Sequence, residues 1–427
     1  MLMFLIFIAL LVMICLNVPI GIALAVAAIF GLLATEGVDS LVTVALDMYD
    51  GSTKFSLIAI PMFVLAGAIM NAGGITDRLI NFVSALIGFV RGGLAMVNIG
   101  VSLFFAEISG SAVADVAALG SILIPQMKKR GYSAPFSAAV TSSSASLAII
   151  IPPSIPMILY ATSANTSVEQ LFVAGIVPGL LGAAGLMGVA YAFAVRYNLP
   201  VEEAFNMKQL GKTFLDALPA FTLPVIILGG IFGGWVTATE AAGLAVLAAL
   251  VVSLWYNQLN LRHLKRAMLD GGMQTAVVMV LVAASVLMGG FLTRAQVPQE
   301  IAAWILDLTT NKWLILLILN FFFLVVGFFL HSAAAIILVV PIVIPLINAA
   351  GIDPVHFGLV VTLNLAIGQQ TPPVASVLIT SCAVARANIW EVSKVNVYFV
   401  AVLLTVLLLC TYVPSIPLFL VEVFFRS

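Results

Sequence analysis

Charge is scarce in this chain: only 8% of its 427 residues are Asp, Glu, Lys or Arg, 17 basic against 18 acidic. A soluble domain carries about a quarter, so water cannot be the solvent for most of this surface. The net charge of −1 creates no polyelectrolyte field, which argues against a nucleic-acid partner. Three cysteines, Cys15, Cys382 and Cys410, form no CxxC pair and sit among apolar or small residues. That excludes a disulfide framework and a thiolate transition-metal site, and leaves packing as their role. Three scattered histidines offer neither metal-ligand spacing nor a triad, so no catalytic residues are assigned and an enzyme is disfavoured.

What is present is apolar: 63% hydrophobic residues and a mean hydropathy of +1.22. The runs are long and continuous rather than alternating, which points to a multi-span helical membrane protein and away from a β-barrel. The opening stretch lacks a basic n-region and is too long for a signal h-region. It is expected to be a first membrane helix, punctuated at Asn17-Val18-Pro19.

The chain repeats itself at an offset of about 220, the kind of weak internal symmetry by which transporter repeats are detected. Asp50-Gly51 recurs as Asp270-Gly271, Pro125 as Pro345, Gly131 as Gly351, and Pro152-Pro153 as Pro372-Pro373. Basic residues then separate the copies. Lys128, Lys129 and Arg130 follow Pro125, whereas the loop after Pro345 has none. The stretch 40–51 has no basic residue, whereas 260–271 has Arg262, Lys265 and Arg266; 163–170 has none, whereas 383–394 has Arg386 and Lys394. Since cytoplasmic loops collect Lys and Arg, the alternation predicts two copies in opposite orientations, with Lys54 and Lys312 as exceptions. Inverted repeats are the signature of secondary transporters. The expected architecture is one all-α polytopic membrane domain, with repeats at about 40–175 and 260–395.

Between Arg91 and Lys128 lie about 36 residues, where one span needs about 20 and two need about 40. In the middle sits "EISGSAVAD", with Glu107, Ser109, Gly110, Ser111 and Asp115. Two short helices meeting at a polar tip inside the membrane fit this stretch, and 312–353 predicts a second such re-entrant hairpin with its tip near Gly327 to Ala333. Each hairpin precedes an apolar helix interrupted by tandem proline, at Pro152-Pro153-Ser154 and at Gly368 to Pro373. Proline removes a donor and clashes with the preceding turn, freeing carbonyls that can ligate Na⁺ beside a helix N-terminus that attracts anions.

Among single residues, Glu107 and Asp115 are acids at membrane depth, either functional or, for Asp115, stabilising the first turn after the tip. The run Thr141, Ser142, Ser143, Ser144, Ser146 lines a cavity or packs helices closely, whereas Asn364 in the second copy is harder to explain by packing. His331 is a substrate ligand or a satisfied tip residue. Arg294 either snorkels to the interface or pairs with a substrate carboxylate. Stretches 202–214, with Glu202, Glu203, Lys208 and Lys212, and 260–270 read as helices lying along the membrane surface. Together with 40–51 they would brace a scaffold around transport parts at 92–163 and 312–386.

These residues resemble a known family. The runs "FFAEISGSAVADVAALGSILIPQMKKRGY", "IIPPSIPMILYA", "FVLAGAIMNAGGITDRLI", "FVAGIVPGLL" and "QQTPPVASVL" look like the large membrane subunit of tripartite ATP-independent periplasmic (TRAP) transporters, over essentially the whole chain. The resemblance implies an elevator-type, Na⁺-coupled importer of an organic acid in the bacterial inner membrane, with no cofactor beyond the coupling ion. It implies two protein partners, a small four-helix membrane subunit on a separate chain and a periplasmic substrate-binding protein, besides membrane lipid. Carried over by position, one Na⁺ site would use Ser109, Gly110, Ser111, Ile151 and Ser154. A second would use Gly327, Gly368, Gln370 and Thr371. Substrate contacts would come from Ser111, Ser154, Arg294, His331, Ser332 and Asn364. One departure concerns the second tip, where the family often has G-x-x-x-D-x-x-P and this chain has "GFFLHSAAA". Sialic acid or a related sugar acid is the favoured solute, then a C4-dicarboxylate. The alternatives are a stand-alone Na⁺/carboxylate symporter and, further off, an intramembrane enzyme; a channel fits inverted hairpins less well than alternating access does.

Overall fold

The computed structural model describes residues 2–16, 18–201 and 204–425, without the side chains of residues 2, 4, 11, 14, 15 and 107–109. The expectations for Asn17, for Glu202 and Glu203, and for the Glu107 and Ser109 side chains lie outside the described residues.

Two helices open the chain, α1 (Leu2–Cys15) and α2 (Ile20–Glu36). Repeat one follows as α3 (Leu41–Ser52), α4 (Ala59–Ala72), α5 (Ile75–Ile87), α6 (Gly93–Ser109), α7 (Ala112–Lys129), α8 (Ala134–Ala145), α9 (Ile155–Ala164) and α10 (Val168–Arg196). A linking segment holds α11 (Met207–Ala217), then α12 (Thr222–Pro224) and α13 (Gly230–Phe232) joined by a π-helical turn, then α14 (Ala238–Trp255). Repeat two is α15 (Leu261–Arg294), α16 (Val297–Leu308), α17 (Lys312–Phe329), α18 (Ser332–Ala349), α19 (Pro354–Gly368), α20 (Ser376–Ala385) and α21 (Ile389–Tyr412). The last described helix is α22 (Ser415–Phe425).

Local sequence explains these boundaries. Ser133, Ser154 and Ser167 in repeat one, and Asp353 and Asn388 in repeat two, accept first-turn amide protons and so start the helices that follow them. Left-handed residues mark equivalent ends in both copies: Gly74 and Gln296, Gly131 and Gly351, Asn165 and Arg386. The copies differ at one expected arm. The stretch 260–270 is no separate surface helix but the first part of the 34-residue α15. Repeat one breaks between α3 and α4 at Thr53 and Lys54, whereas the matching Met273 and Gln274 continue the helix.

Two hydrogen bonds establish that the repeats are antiparallel. The Tyr160 hydroxyl, on the second half of broken helix one, donates to the Pro354 carbonyl at the start of broken helix two (2.8 Å). Lys128 Nζ, just before broken helix one begins, donates to the Ala385 carbonyl where broken helix two ends (2.9 Å). Each helix therefore starts where the other finishes. The hairpins follow this inversion: α7 packs on α20 and α18 packs on α9, each across the repeat boundary.

The Lys128 end is the basic one. A cavity of about 1090 Å³ there is bounded by Ser84, Gly88, Lys129, Arg130, Lys212 and Asp216. Arg78 of α5 stands 3.7 Å from the Tyr256 ring centre, which brings the start of α15 to the same end. The positive-inside rule makes this end cytoplasmic. Among the described residues three cations at the other end each have a local role: Lys54 Nζ donates to the Thr162 carbonyl (3.1 Å), Lys312 lies 4.7 Å from the Trp313 ring centre, and Arg294 pairs with Asp47 and Glu36.

Among the described residues seven helices are long and apolar enough to cross a membrane. The bundle's centre is α8 and α19, buried continuously from Phe136 to Ala145 and from Val355 to Gly368. A helix buried all round must settle its polar side chains inside the protein, and among the described residues of these two only the Asn364 Oδ1 finds no partner.

Candidate transport site

At the first tip Gly110 adopts the left-handed conformation (φ +57) that lets α6 turn into α7. Ser111 is extended and caps α7, its Oγ accepting from the Ala114 N–H at 3.5 Å. The buried Asp115 sits in that first turn, where the helix dipole favours a carboxylate, and its N–H donates to the Ser111 carbonyl at 3.0 Å.

The tip lies on the first break. A methyl group added to Gly110 would stand 2.9 Å from the Pro153 carbonyl oxygen and 3.2 Å from the Ile155 nitrogen, so the two backbones touch with nothing between them. Ser154 starts α9, accepting from the Met157 N–H (3.4 Å) while donating to the Ile149 carbonyl (2.6 Å). Its hydroxyl thus spans the gap opened by the prolines. Gly110, Ser111 and Ser154 are thus brought together, while the Ile151 side chain packs against Gly179 of α10. Ser109 ends α6 beside them, and its side chain is outside the described residues.

The second tip meets the second break in the same way. A Cβ on Gly368 would stand 2.6 Å from the Gly327 carbonyl carbon, which only two glycines permit. The Val374 N–H donates to the Phe328 carbonyl (3.3 Å). Although α17 and α18 are each long enough to cross, their junction is held against the interruption of α19, so the pair re-enters. Thr371 Oγ1 donates to the Ile367 carbonyl at 3.1 Å, and Gly327, Gly368, Gln370 and Thr371 all lie at this seam. Small apolar side chains, Ala112, Val116, Ala145, Ile149, Ala366 and Val377, fill the space between the two breaks.

At the second tip His331 takes the capping place, Nδ1 accepting from the Ala333 N–H at 3.4 Å. Capping explains how histidine fills a position where an aspartate would serve equally well. His331 stands at the chain's surface, and Ser332 is buried behind it.

The other two substrate candidates lie apart from the tips. Asn364 Nδ2 donates to Asn320 Oδ1 (2.7 Å) and to the Val360 carbonyl (2.8 Å), and Asn320 Nδ2 donates to Thr411 Oγ1 (3.1 Å). The same register in repeat one holds Ser144, which bonds Asn98 Oδ1 (3.1 Å) and accepts from Ser102 (2.9 Å). In both copies this position clamps the broken helix to the first hairpin helix, while the buried Asn364 Oδ1 accepts no hydrogen bond from the described residues. Arg294 lies at the far end of α15, paired with Asp47 and Glu36 and donating to Thr43 Oγ1 (3.2 Å). It is anchored to α2 and α3 at the outer rim.

A further polar group joins two residues singled out in the sequence, Ser143 and Gln370, to one that was not, Asn396. Ser143 Oγ lies 2.7 Å from Gln370 Oε1 and 2.8 Å from Asn396 Oδ1, and Asn396 Nδ2 donates to the Gln370 carbonyl (3.2 Å). This triad ties the second break to α8 and α21. The available signal was single amides, Asn98, Asn320 and Asn396, standing in otherwise apolar runs.

Two tips seated on two breaks in opposed repeats give a transporter's geometry, and the comparison with families agrees. The model of the tripartite ATP-independent periplasmic transporter, DctM component, matches residues 7–416. The chain belongs to this family. It is 39% identical to the isethionate TRAP transporter permease protein DctMQ of Oleidesulfovibrio alaskensis, covering 94% of this chain and 64% of that one. It is 36% identical to the C4-dicarboxylate TRAP transporter large permease protein DctM of Pseudomonas aeruginosa, covering 89% of each. It is 35% identical to the sialic acid TRAP transporter large permease protein SiaM of Vibrio cholerae, covering 96% of each. Among solved structures, the Alcanivorax borkumensis YdaH transporter superposes with a TM-score of 0.64 at 16% identity, covering 89% of each chain, a similarity of fold. This DctM-family chain is therefore the large permease subunit of a TRAP transporter and a multi-pass inner-membrane protein, a transport component rather than an enzyme. TRAP large subunits work with a small membrane subunit and a substrate-binding protein.

Proposed function

We propose that this subunit imports an organic acid by Na⁺ coupling, one ion at each seam between tip and break. The observation that carries the reading is the direct backbone contact at both seams, Gly110 on Pro153 and Ile155, and Gly327 on Gly368. Hydroxyls and proline-freed carbonyls are hard oxygen donors suited to Na⁺, and a helix N-terminus beside them suits a carboxylate. On this reading Ser109, Gly110, Ser111, Ile151 and Ser154 hold one ion. Gly327, Gly368, Gln370 and Thr371 hold the other. The carboxylate meets Ser111, Ser154, His331 and Ser332. Arg294 and Asn364 act at a distance, as anchor and clamp.

The parts 92–163 and 312–386 move as one body against the remainder, an elevator. This is supported by their cross-packing, since α7 rests on α20 and α18 on α9. A periplasmic protein delivers the solute, and a separate small four-helix subunit, with the surrounding lipid, steadies the scaffold. Relatives named for isethionate, a C4-dicarboxylate and sialic acid fall within a few per cent identity of one another, so similarity ranks no solute. Sialic acid remains the first candidate, then a C4-dicarboxylate. The test is uptake into proteoliposomes holding this chain and both partners, across a panel of organic acids. Accumulation that needs both a Na⁺ gradient and the binding protein is expected. A proton gradient serving as well without Na⁺ would overturn the coupling, and uptake without the binding protein would make the chain a stand-alone symporter.

A further inference from the structure

Two cavities adjoin in the cytoplasmic half. The first, about 470 Å³, lies between α4, which supplies Gly67 and Ala68, and α7, which supplies Ala114 and Ala117. The second, about 420 Å³, reaches the basic start of α15 at His263, Arg266 and Asp270. Both are lined by Ala68, Asn71 and Gln274, so they form one continuous passage. Its inner end, at Ala114, is one helical turn from Ser111 of the first tip. On the opposite side the scaffold touches the broken helix directly, through Lys54 Nζ to the Thr162 carbonyl (3.1 Å) and Ser56 to Thr162 (3.1 Å). Beside that contact the outer half holds a smaller cavity, about 220 Å³, lined by Asp47, Thr162 and Ser285.

Polar side chains at membrane depth are costly unless they face water or a solute. Gln274 is exposed and makes no protein hydrogen bond among the described residues; its neighbour Met273 is exposed too but does not line the passage. Asn71 accepts from Thr76 Oγ1 at 3.4 Å, and its NH₂ donates to no protein group among the described residues. Arg266 pairs only loosely with Asp270 (3.9 Å), both well exposed, so its charge remains available at the mouth.

We propose that Asn71 and Gln274 are hydrogen-bonding waypoints that carry the organic acid from the first tip to the cytoplasm, with Arg266 drawing it to the mouth. This rests on the functional reading above. Amides donate to a carboxylate and accept from hydroxyls, yet hold neither as tightly as a fixed charge would. An exit path needs such weak, successive binding.

Two experiments test it. Gln274→Cys and Asn71→Cys should react, above the background of the three native cysteines, with a membrane-impermeant maleimide applied from the cytoplasmic side, and Met273→Cys, outside the lining, should not. In the reconstituted assembly, Asn71→Leu and Gln274→Leu should each slow net uptake about fivefold, the scale of one lost hydrogen bond. Half-saturation by the loaded binding protein should stay unchanged, and Met273→Leu should transport normally. Unreactive cysteines, or leucine variants running at the parent rate, overturn the proposal. If the parent assembly transports no organic acid, the functional reading fails and the waypoint role with it, while the labelling still reports whether the passage exists.

Discussion

Gly368 lies so close to Gly327 that a Cβ on it would stand 2.6 Å from the Gly327 carbonyl carbon. Neither backbone can retreat, because each belongs to a helix packed along the other. Gly368→Ala should therefore destabilise the protein by about 1–3 kcal/mol through overpacking. Gly188→Ala, which meets open space, should not. Thermal unfolding in detergent distinguishes them, and equal Tm values for both variants would refute a close-packed seam.

The inversion is testable by topology. Lys129 and Ala349 hold equivalent places in the two copies, yet the bonds from Tyr160 to Pro354 and from Lys128 to Ala385 put them at opposite ends. Cysteines at the two positions should react from opposite sides of the membrane, Lys129→Cys from the cytoplasm. Labelling from a common side would remove the inverted arrangement and the transport reading with it.

The clamp role of Asn364 makes a prediction that separates it from a substrate contact. Asn364→Leu withdraws the donor from Asn320 Oδ1, leaving a buried acceptor unmet, at about 1–3 kcal/mol. Stability should fall while the apparent affinity for solute holds. A variant of unchanged Tm with a weakened solute affinity would return Asn364 to the binding site.

Ion coupling is probed at one residue from each seam. Ser111→Ala and Thr371→Ala should each shift half-activation by Na⁺ upward several-fold, roughly what one lost oxygen ligand worth about 1 kcal/mol implies, with assembly intact. Sodium activation identical to the parent in both would discard the proposed ion sites.

At the outer rim, Arg294 is held by Asp47 and Glu36. Asp47→Asn should then reproduce much of the effect of Arg294→Ala, since both loosen α15 from α3. An arginine variant that abolished solute binding while Asp47→Asn behaved as the parent would show that the guanidinium meets the substrate.

Much of the architecture was legible in the residues because hydrocarbon imposes few solutions. Tandem prolines at matched positions, a Ser-Gly-Ser turn inside an apolar run and an alternation of basic loops each have one economical reading in a membrane. The amides were not legible. Asn364 and Arg294 stand out along the chain because polar residues in apolar runs are expensive. Their protein partners, Asn320 and Asp47, lie 44 and 247 residues away in sequence. The arm at 260–270 was misjudged because amphipathic composition marks a surface helix but not whether the helix stops there.

By itself the sequence determined the membrane as solvent, the duplicated plan and the places where helices must break, all set by local backbone chemistry and by which side collects positive charge. Only the tertiary structure decided which tip rests on which break and which polar groups answer one another. Those depend on contacts between segments far apart in the chain, and no local pattern encodes a distance across the bundle.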